Sequence, residues 1–146
     1  MPVIDRSALV PYTDEQMFLL VDRIDAYPEF LPWCAGSAVH ARSEKKVEAS
    51  IDIATMGIKK TFTTANALTP YSHIQLNLVD GPFERLEGHW RFQSLGEEGS
   101  KVSLVLDFEY KGGWAYAAFG TFFSHVANQL VDAFCERAKV VYGDKA

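Results

Sequence analysis

The sequence predicts a single α+β domain in which a curved antiparallel sheet wraps around a long C-terminal helix. Three observations carry this. Residues 36–111 alternate apolar and polar side chains with period two, the mark of strands with one buried and one wet face. From residue 114 the period changes to three and four, with no proline before the end of the chain. The 146 residues suit one domain, and no Pro/Gly/Ser linker or internal repeat divides them.

The elements follow in order. Val3 to Val10 reads as a first strand. A helix then runs from Thr13 to about Asp25. Thr13 and Gln16 have capping-box spacing, Tyr12 and Met17 are placed as a hydrophobic staple, and Phe18, Leu20, Val21 and Ile24 give one apolar face. In the next segment, Tyr27 to Cys34, Pro28 and Pro32 allow only a short helix or turn.

Ala38 to Ser43 predicts a weakly alternating strand. Val47, Ala49, Ile51 and Ile53 form the apolar side of the next, and Phe62, Thr64, Asn66 and Leu68 that of a less apolar one. Three more strands present Ile74, Leu76 and Leu78; then Leu86, Gly88, Trp90 and Phe92; then Val102, Leu104, Leu106, Phe108 and Tyr110. Turn signals at Met56-Gly57, Thr69-Pro70, Asp80-Gly81-Pro82 and Glu98-Gly99-Ser100 separate them as hairpins. After Gly112-Gly113 one amphipathic helix is predicted to about Tyr142, with Phe119, Phe122, Phe123, Val126, Leu130, Phe134, Ala138 and Val141 as its stripe. A half-wet sheet and a one-striped helix bury their apolar faces together, which is the helix-grip arrangement. Because a bent sheet cannot touch a straight helix along its whole length, the facing residues form either a solid core or the lining of a cavity.

Composition excludes several functions. Nineteen acidic residues against fourteen basic ones give a net charge of −5, which disfavours a sequence-independent nucleic-acid binder, and no DNA partner is expected. Cys34 and Cys135 form no CxxC pair or zinc spacing and are expected as buried thiols in a reducing compartment. The N-terminus lacks the basic and apolar regions of a signal peptide, so a cytoplasmic protein is expected. His40, His73, His89 and His125 have no ligand-spaced partners, and no metal site is expected. His125 falls at the edge of the helix stripe, either exposed or close to a ligand head group. Alternation sends Glu87, His89, Asp107 and Glu109 to the wet face, and no phosphate loop or nucleophile elbow occurs. A catalytic residue is therefore not expected.

Five segments carry a resemblance to a known family: Val10-Pro11-Tyr12, Tyr27-Pro28-Glu29-Phe30-Leu31-Pro32-Trp33-Cys34, Lys60-Thr61-Phe62-Thr63-Thr64, Leu78-Val79-Asp80-Gly81-Pro82-Phe83 and Val131-Asp132-Ala133-Phe134-Cys135. Together they resemble the bacterial RatA proteins, ribosome association toxins related to the mitochondrial coenzyme-Q-binding proteins of the START superfamily. The resemblance runs from Val3 to Gly143 and implies a START-like helix grip. It also turns the choice between core and cavity towards a cavity. Phe62, Leu76, Trp90, Leu106, Phe92 and Phe108 would line it from the sheet, and Phe119, Phe123, Val126 and Leu130 from the helix. A gate is expected from Tyr27, Phe30, Leu31 and Trp33 together with Pro82 and Phe83.

The resemblance implies two activities. The first is binding of ubiquinone or a related polyprenyl lipid in support of respiration, with transient contact at the inner membrane and no required cofactor. The second is association with the large ribosomal subunit that blocks subunit joining and so inhibits translation. The acidic balance favours the first, and a non-enzymatic ubiquinone binder is the leading expectation. A polyketide cyclase-like enzyme is a third alternative; it requires an ionisable group such as Asp52 or His73 inside the cavity.

Overall fold

The computed structural model describes residues 3–55, 58–112 and 114–143, with the side chains of residues 55, 58 and 114–119 left undescribed. Its elements are β1 (Val3–Val10), α1 (Asp14–Asp22), a 3-10 helix (Ile24–Glu29), β2 (Cys34–Arg42), β3 (Lys46–Thr55), β4 (Ile58–Thr69), β5 (His73–Asp80), β6 (Phe83–Ser94), a short 3-10 turn (Gly96–Glu98), β7 (Ser100–Tyr110) and α2 (Trp114–Tyr142). The strands form one antiparallel sheet in the order β1-β7-β6-β5-β4-β3-β2. The fold is α+β, a START-like helix grip. The expected turn at Met56-Gly57 and the hinge glycine Gly113 lie outside the described residues.

Strand alternation places the core. Along β7 Val102, Leu104, Leu106 and Phe108 are buried, while Lys101, Val105 and Glu109 on the other face are exposed. On β4 the inner face is Phe62, Thr64, Asn66 and Leu68, all buried although two are polar. α1 begins as its cap predicts: Thr13 Oγ1 accepts from Gln16 N at 3.0 Å, and Gln16 Oε1 accepts from Thr13 N at 2.9 Å.

Two boundaries and one helix face differ from expectation. α1 ends at Asp22 rather than near Asp25, because the chain tightens into the 3-10 helix containing Pro28, which has no N–H to offer an α-helical ladder. β2 starts at Cys34 rather than Ala38, since register shifts between Cys34 and Gly36 and between Val39 and Ala41 break the period that marks a strand. In α2 Val141 is 46% exposed, and the row facing inward is Phe123, Ala127, Val131, Phe134 and Ala138.

Contacts near both ends hold α2 in place. Gly120 lies against the Tyr110 ring so closely that an added Cβ would meet it at 2.2 Å, so only glycine permits this approach. At the other end Tyr142 Oη donates to Gln16 O at 2.8 Å and Tyr12 Oη donates to Gly143 O at 2.6 Å, tying the end of α2 to the start of α1. No described helix is long and apolar enough to cross a membrane.

Candidate ligand-binding site

Between sheet and helix two aromatic clusters face each other. In the first, Phe123 of α2 meets Phe83 at 4.8 Å, Phe108 at 4.9 Å and Phe62 at 6.0 Å between ring centroids, all edge to face. In the second, Phe134 meets Tyr27 at 5.3 Å and both Trp90 and Phe30 at 5.4 Å, again edge to face. These are the geometries that ring quadrupoles favour. Residues of both clusters line a cavity of about 80 Å³. The sheet contributes Ile51, Ile53, Phe62, Thr64, Asn66, Leu76, Leu86, Trp90 and Leu106. Helix α2 contributes Phe123, Val126, Ala127, Leu130 and Phe134, and the segment after α1 contributes Ile24, Tyr27 and Trp33.

Of the ten residues expected to line a cavity, Phe62, Leu76, Trp90, Leu106, Phe123, Val126 and Leu130 do so. Phe92 and Phe108 do not. Both point inward, but Phe92 stacks on Trp90 at 6.3 Å and meets Phe18 at 5.6 Å, while Phe108 is sealed behind Phe83 and Phe123. Periodicity assigns a face to a residue but not a depth along the strand. The side chain of Phe119 lies outside the described residues.

The gate expectation divides in the same way. Tyr27 and Trp33 line the cavity. Leu31 is buried outside its lining, and Phe30 lies on the outer side of its cluster, with the Arg137 guanidinium over its ring at 5.0 Å. Pro82 and Phe83 are buried too, and Phe83 closes the first aromatic cluster rather than a mouth. Gly81, at φ 151°, makes this possible: a Cβ there would lie 2.7 Å from that of Phe62. An open groove lies instead beside Trp33, lined also by Pro32, Ala54, Phe122, His125, Val126 and Gln129. Trp33 and Val126 line both the groove and the inner cavity.

No carboxylate, imidazole, amine or thiol belongs to the described lining of the inner cavity. Its titratable member, Tyr27, donates its hydroxyl to Val21 O, and burial raises its pKa far above the ordinary phenol value. Asp52 is on the opposite face, accepting from Thr61 Oγ1 at 2.6 Å and pairing with Lys59 Nζ at 3.6 Å. His73 is there as well, stacked on His89 with Nε2 2.8 Å from the His89 Nδ1. The thiols of Cys34 and Cys135 are unpaired, and burial raises the pKa of each, which disfavours the reactive thiolate. No group of three metal-ligating side chains occurs among the described residues.

The His73 pKa is held below the usual 6.5, first by desolvation and then by the charges of Arg91 and His89. A base whose pKa falls on folding takes up more protons when unfolded, so stability rises with pH across that window. The protein should therefore lose stability as pH falls below 6.5, and His73→Gln should flatten that part of the profile. Urea midpoints measured from neutral pH down to about pH 5 check this.

Of the lining residues, Ile24, Ile51, Ile53, Leu86 and Phe134 were expected on apolar faces but not at the cavity, and Thr64, Asn66 and Ala127 were not expected there at all. Ala127 was legible as the position four residues after Phe123, and the polar pair as the interruption of an otherwise apolar inner face between Phe62 and Leu68.

Residues 10–135 match the family described as polyketide cyclase / dehydrase and lipid transport. The ribosome association toxin RatA of Vibrio cholerae is 49% identical over 144 residues, covering 99% of this chain and 100% of that one. The chain belongs to the RatA family. The mitochondrial coenzyme Q-binding protein COQ10 homolog B of Xenopus laevis is a more distant relative, 28% identical over 142 residues that cover 94% of this chain and 58% of the frog protein. The Zhui aromatase/cyclase of Streptomyces sp. R1128 shares the fold with a TM-score of 0.78, covering 99% of each chain at 14% identity. That identity carries the fold alone.

Proposed function

We propose that this protein is a translation regulator that associates with the ribosome, docking on the large subunit and opposing subunit joining. The observation that carries this reading is the 49% identity to a ribosome association toxin over the whole length of both chains. It reverses the order of the two readings expected from the sequence, in which ubiquinone came first. The coenzyme Q-binding relative is far less similar. The net charge of −5 directs the docking surface towards a ribosomal protein or a local basic patch rather than general RNA affinity.

Sucrose-gradient sedimentation tests the proposal. Purified protein added to separated subunits should migrate with the large subunit and lower the fraction of joined ribosomes. Migration at the top of the gradient with unchanged joining would overturn it.

A second reading is supported by the cavity itself: the domain also holds an apolar ligand, of the ubiquinone or polyprenyl class, without catalysing its conversion. A cavity walled by aromatic and aliphatic side chains binds through buried apolar area, about 25 cal/mol per Å². At about 80 Å³ it is smaller than the ~150 Å³ cavity that holds benzene, so a larger ligand must displace part of the wall. The half-buried Trp33 between cavity and groove is the piece placed to move.

A further inference from the structure

The inner cavity has one polar feature that apolar binding does not use. Asn66 is 4% exposed, lines the cavity, and has its Oδ1 buried with no hydrogen-bond partner among the described residues. Thr64, 7% exposed, lines the cavity beside it on the same face of β4. A buried amide oxygen without a donor costs stability, and a leucine of similar size would remove that cost. Pairing Asn66 with Val47 on one side and Leu76 on the other surrounds the carboxamide with apolar neighbours.

The position of Asn66 relative to the groove gives a direction. Trp33 precedes Cys34, which pairs with Ile53, and Ile53 pairs with Lys60 of β4. From position 60 to position 66 the strand extends about 20 Å. The groove shares Trp33 and Val126 with the cavity and does not reach Asn66. The carboxamide thus belongs to the part of the cavity wall that the groove does not reach.

We propose that the cavity takes its ligand end-on: an apolar body enters past Trp33, and a carbonyl or hydroxyl group at its leading end hydrogen-bonds to the Asn66 carboxamide. This rests on the ligand-binding reading above. A carboxamide can turn about its last torsion, giving N–H to a carbonyl or oxygen to a hydroxyl. The class recognised is a quinone or its quinol, or a long-chain ketone or alcohol. A plain hydrocarbon of the same shape leaves Asn66 unpaired and binds more weakly.

Two probes of matched shape test this by titration calorimetry, 2-decyl-1,4-benzoquinone and decylbenzene, each against the full chain and Asn66→Leu. The wild type should prefer the quinone. Asn66→Leu should lose about tenfold in quinone affinity, the value of one buried hydrogen bond, and with it the preference for the quinone over decylbenzene. Without probe, Asn66→Leu should melt at or above the wild-type temperature, which separates a ligand contact from a structural one. Asn66→Ala gives the same affinity readout should the leucine variant fail to fold. Equal wild-type affinity for the two probes, or undiminished quinone binding by the variants, would overturn the role of Asn66 and leave the cavity reading standing. Failure of the wild type to bind either probe would overturn both.

Discussion

Replacing Phe134 by alanine should cost about 3–5 kcal/mol of stability, the range for a fully buried phenylalanine. Phe134 is 0% exposed and is the common partner of Tyr27, Phe30 and Trp90 in the second aromatic cluster. It also lines the cavity, so truncation enlarges an existing space as well as removing ring contacts. The neighbours have limited freedom to close in. Tyr27 is held by its bond to Val21 O, and α2 is fixed near its ends by Gly120 against Tyr110 and by Tyr142. The cost should therefore fall towards the upper part of the range. That is a large fraction of a total stability of about 5–15 kcal/mol. The enlarged cavity gives the prediction a second readout. Benzene should raise the melting temperature of Phe134→Ala by mass action and leave the wild type almost unchanged. Denaturant midpoints and calorimetric melting with and without benzene measure both effects. A loss below about 1.5 kcal/mol would mean that the cluster collapses into the gap.

The helix grip was legible because both of its partners repeat. The inward residues Val47, Ala49 and Ile53 of β3, and Val102 to Phe108 of β7, appear in the sequence as an alternation with few competing explanations. The row Phe123, Phe134 and Ala138 appears at helical spacing for the same reason. What stayed hidden depends on distances along an element rather than on its faces. Phe92 and Trp90 share a face two residues apart, yet only Trp90 reaches the cavity. Phe83 follows a proline-containing turn, as a gate residue would, but the conformation at Gly81 turns it into the core. Small residues were undervalued as well: Ala127 adds little hydrophobicity to a helical stripe, yet its size leaves space beneath α2. The polar pair Thr64 and Asn66 lowered the apparent quality of β4 as a buried strand, and it is there that the cavity departs from an ordinary core.

Val126→Trp should abolish binding of an apolar ligand and leave ribosome association intact. Val126 is 5% exposed and stands at the junction of the cavity and the groove. An indole there fills inner space and narrows the approach beside Trp33, so it acts on capacity and access together. Overpacking costs about 1–3 kcal/mol, which a folded domain can absorb, and circular dichroism and melting would verify that it has done so. Binding of 2-decyl-1,4-benzoquinone should then fall below detection by calorimetry. Ribosome association depends on an outer surface, and the substituted side chain lies beneath α2, so co-sedimentation with the large subunit should persist. Loss of both activities in a well-folded variant would show that ligand and ribosome are coupled, with occupancy of the cavity setting the surface that docks. Loss of docking with retained quinone binding would place the groove beside Trp33, His125 and Gln129 in the ribosomal interface, because it is the exposed feature this substitution alters. Retention of both would show that quinone binds elsewhere on the molecule and would reduce the space between the two aromatic clusters to a packing defect of the core.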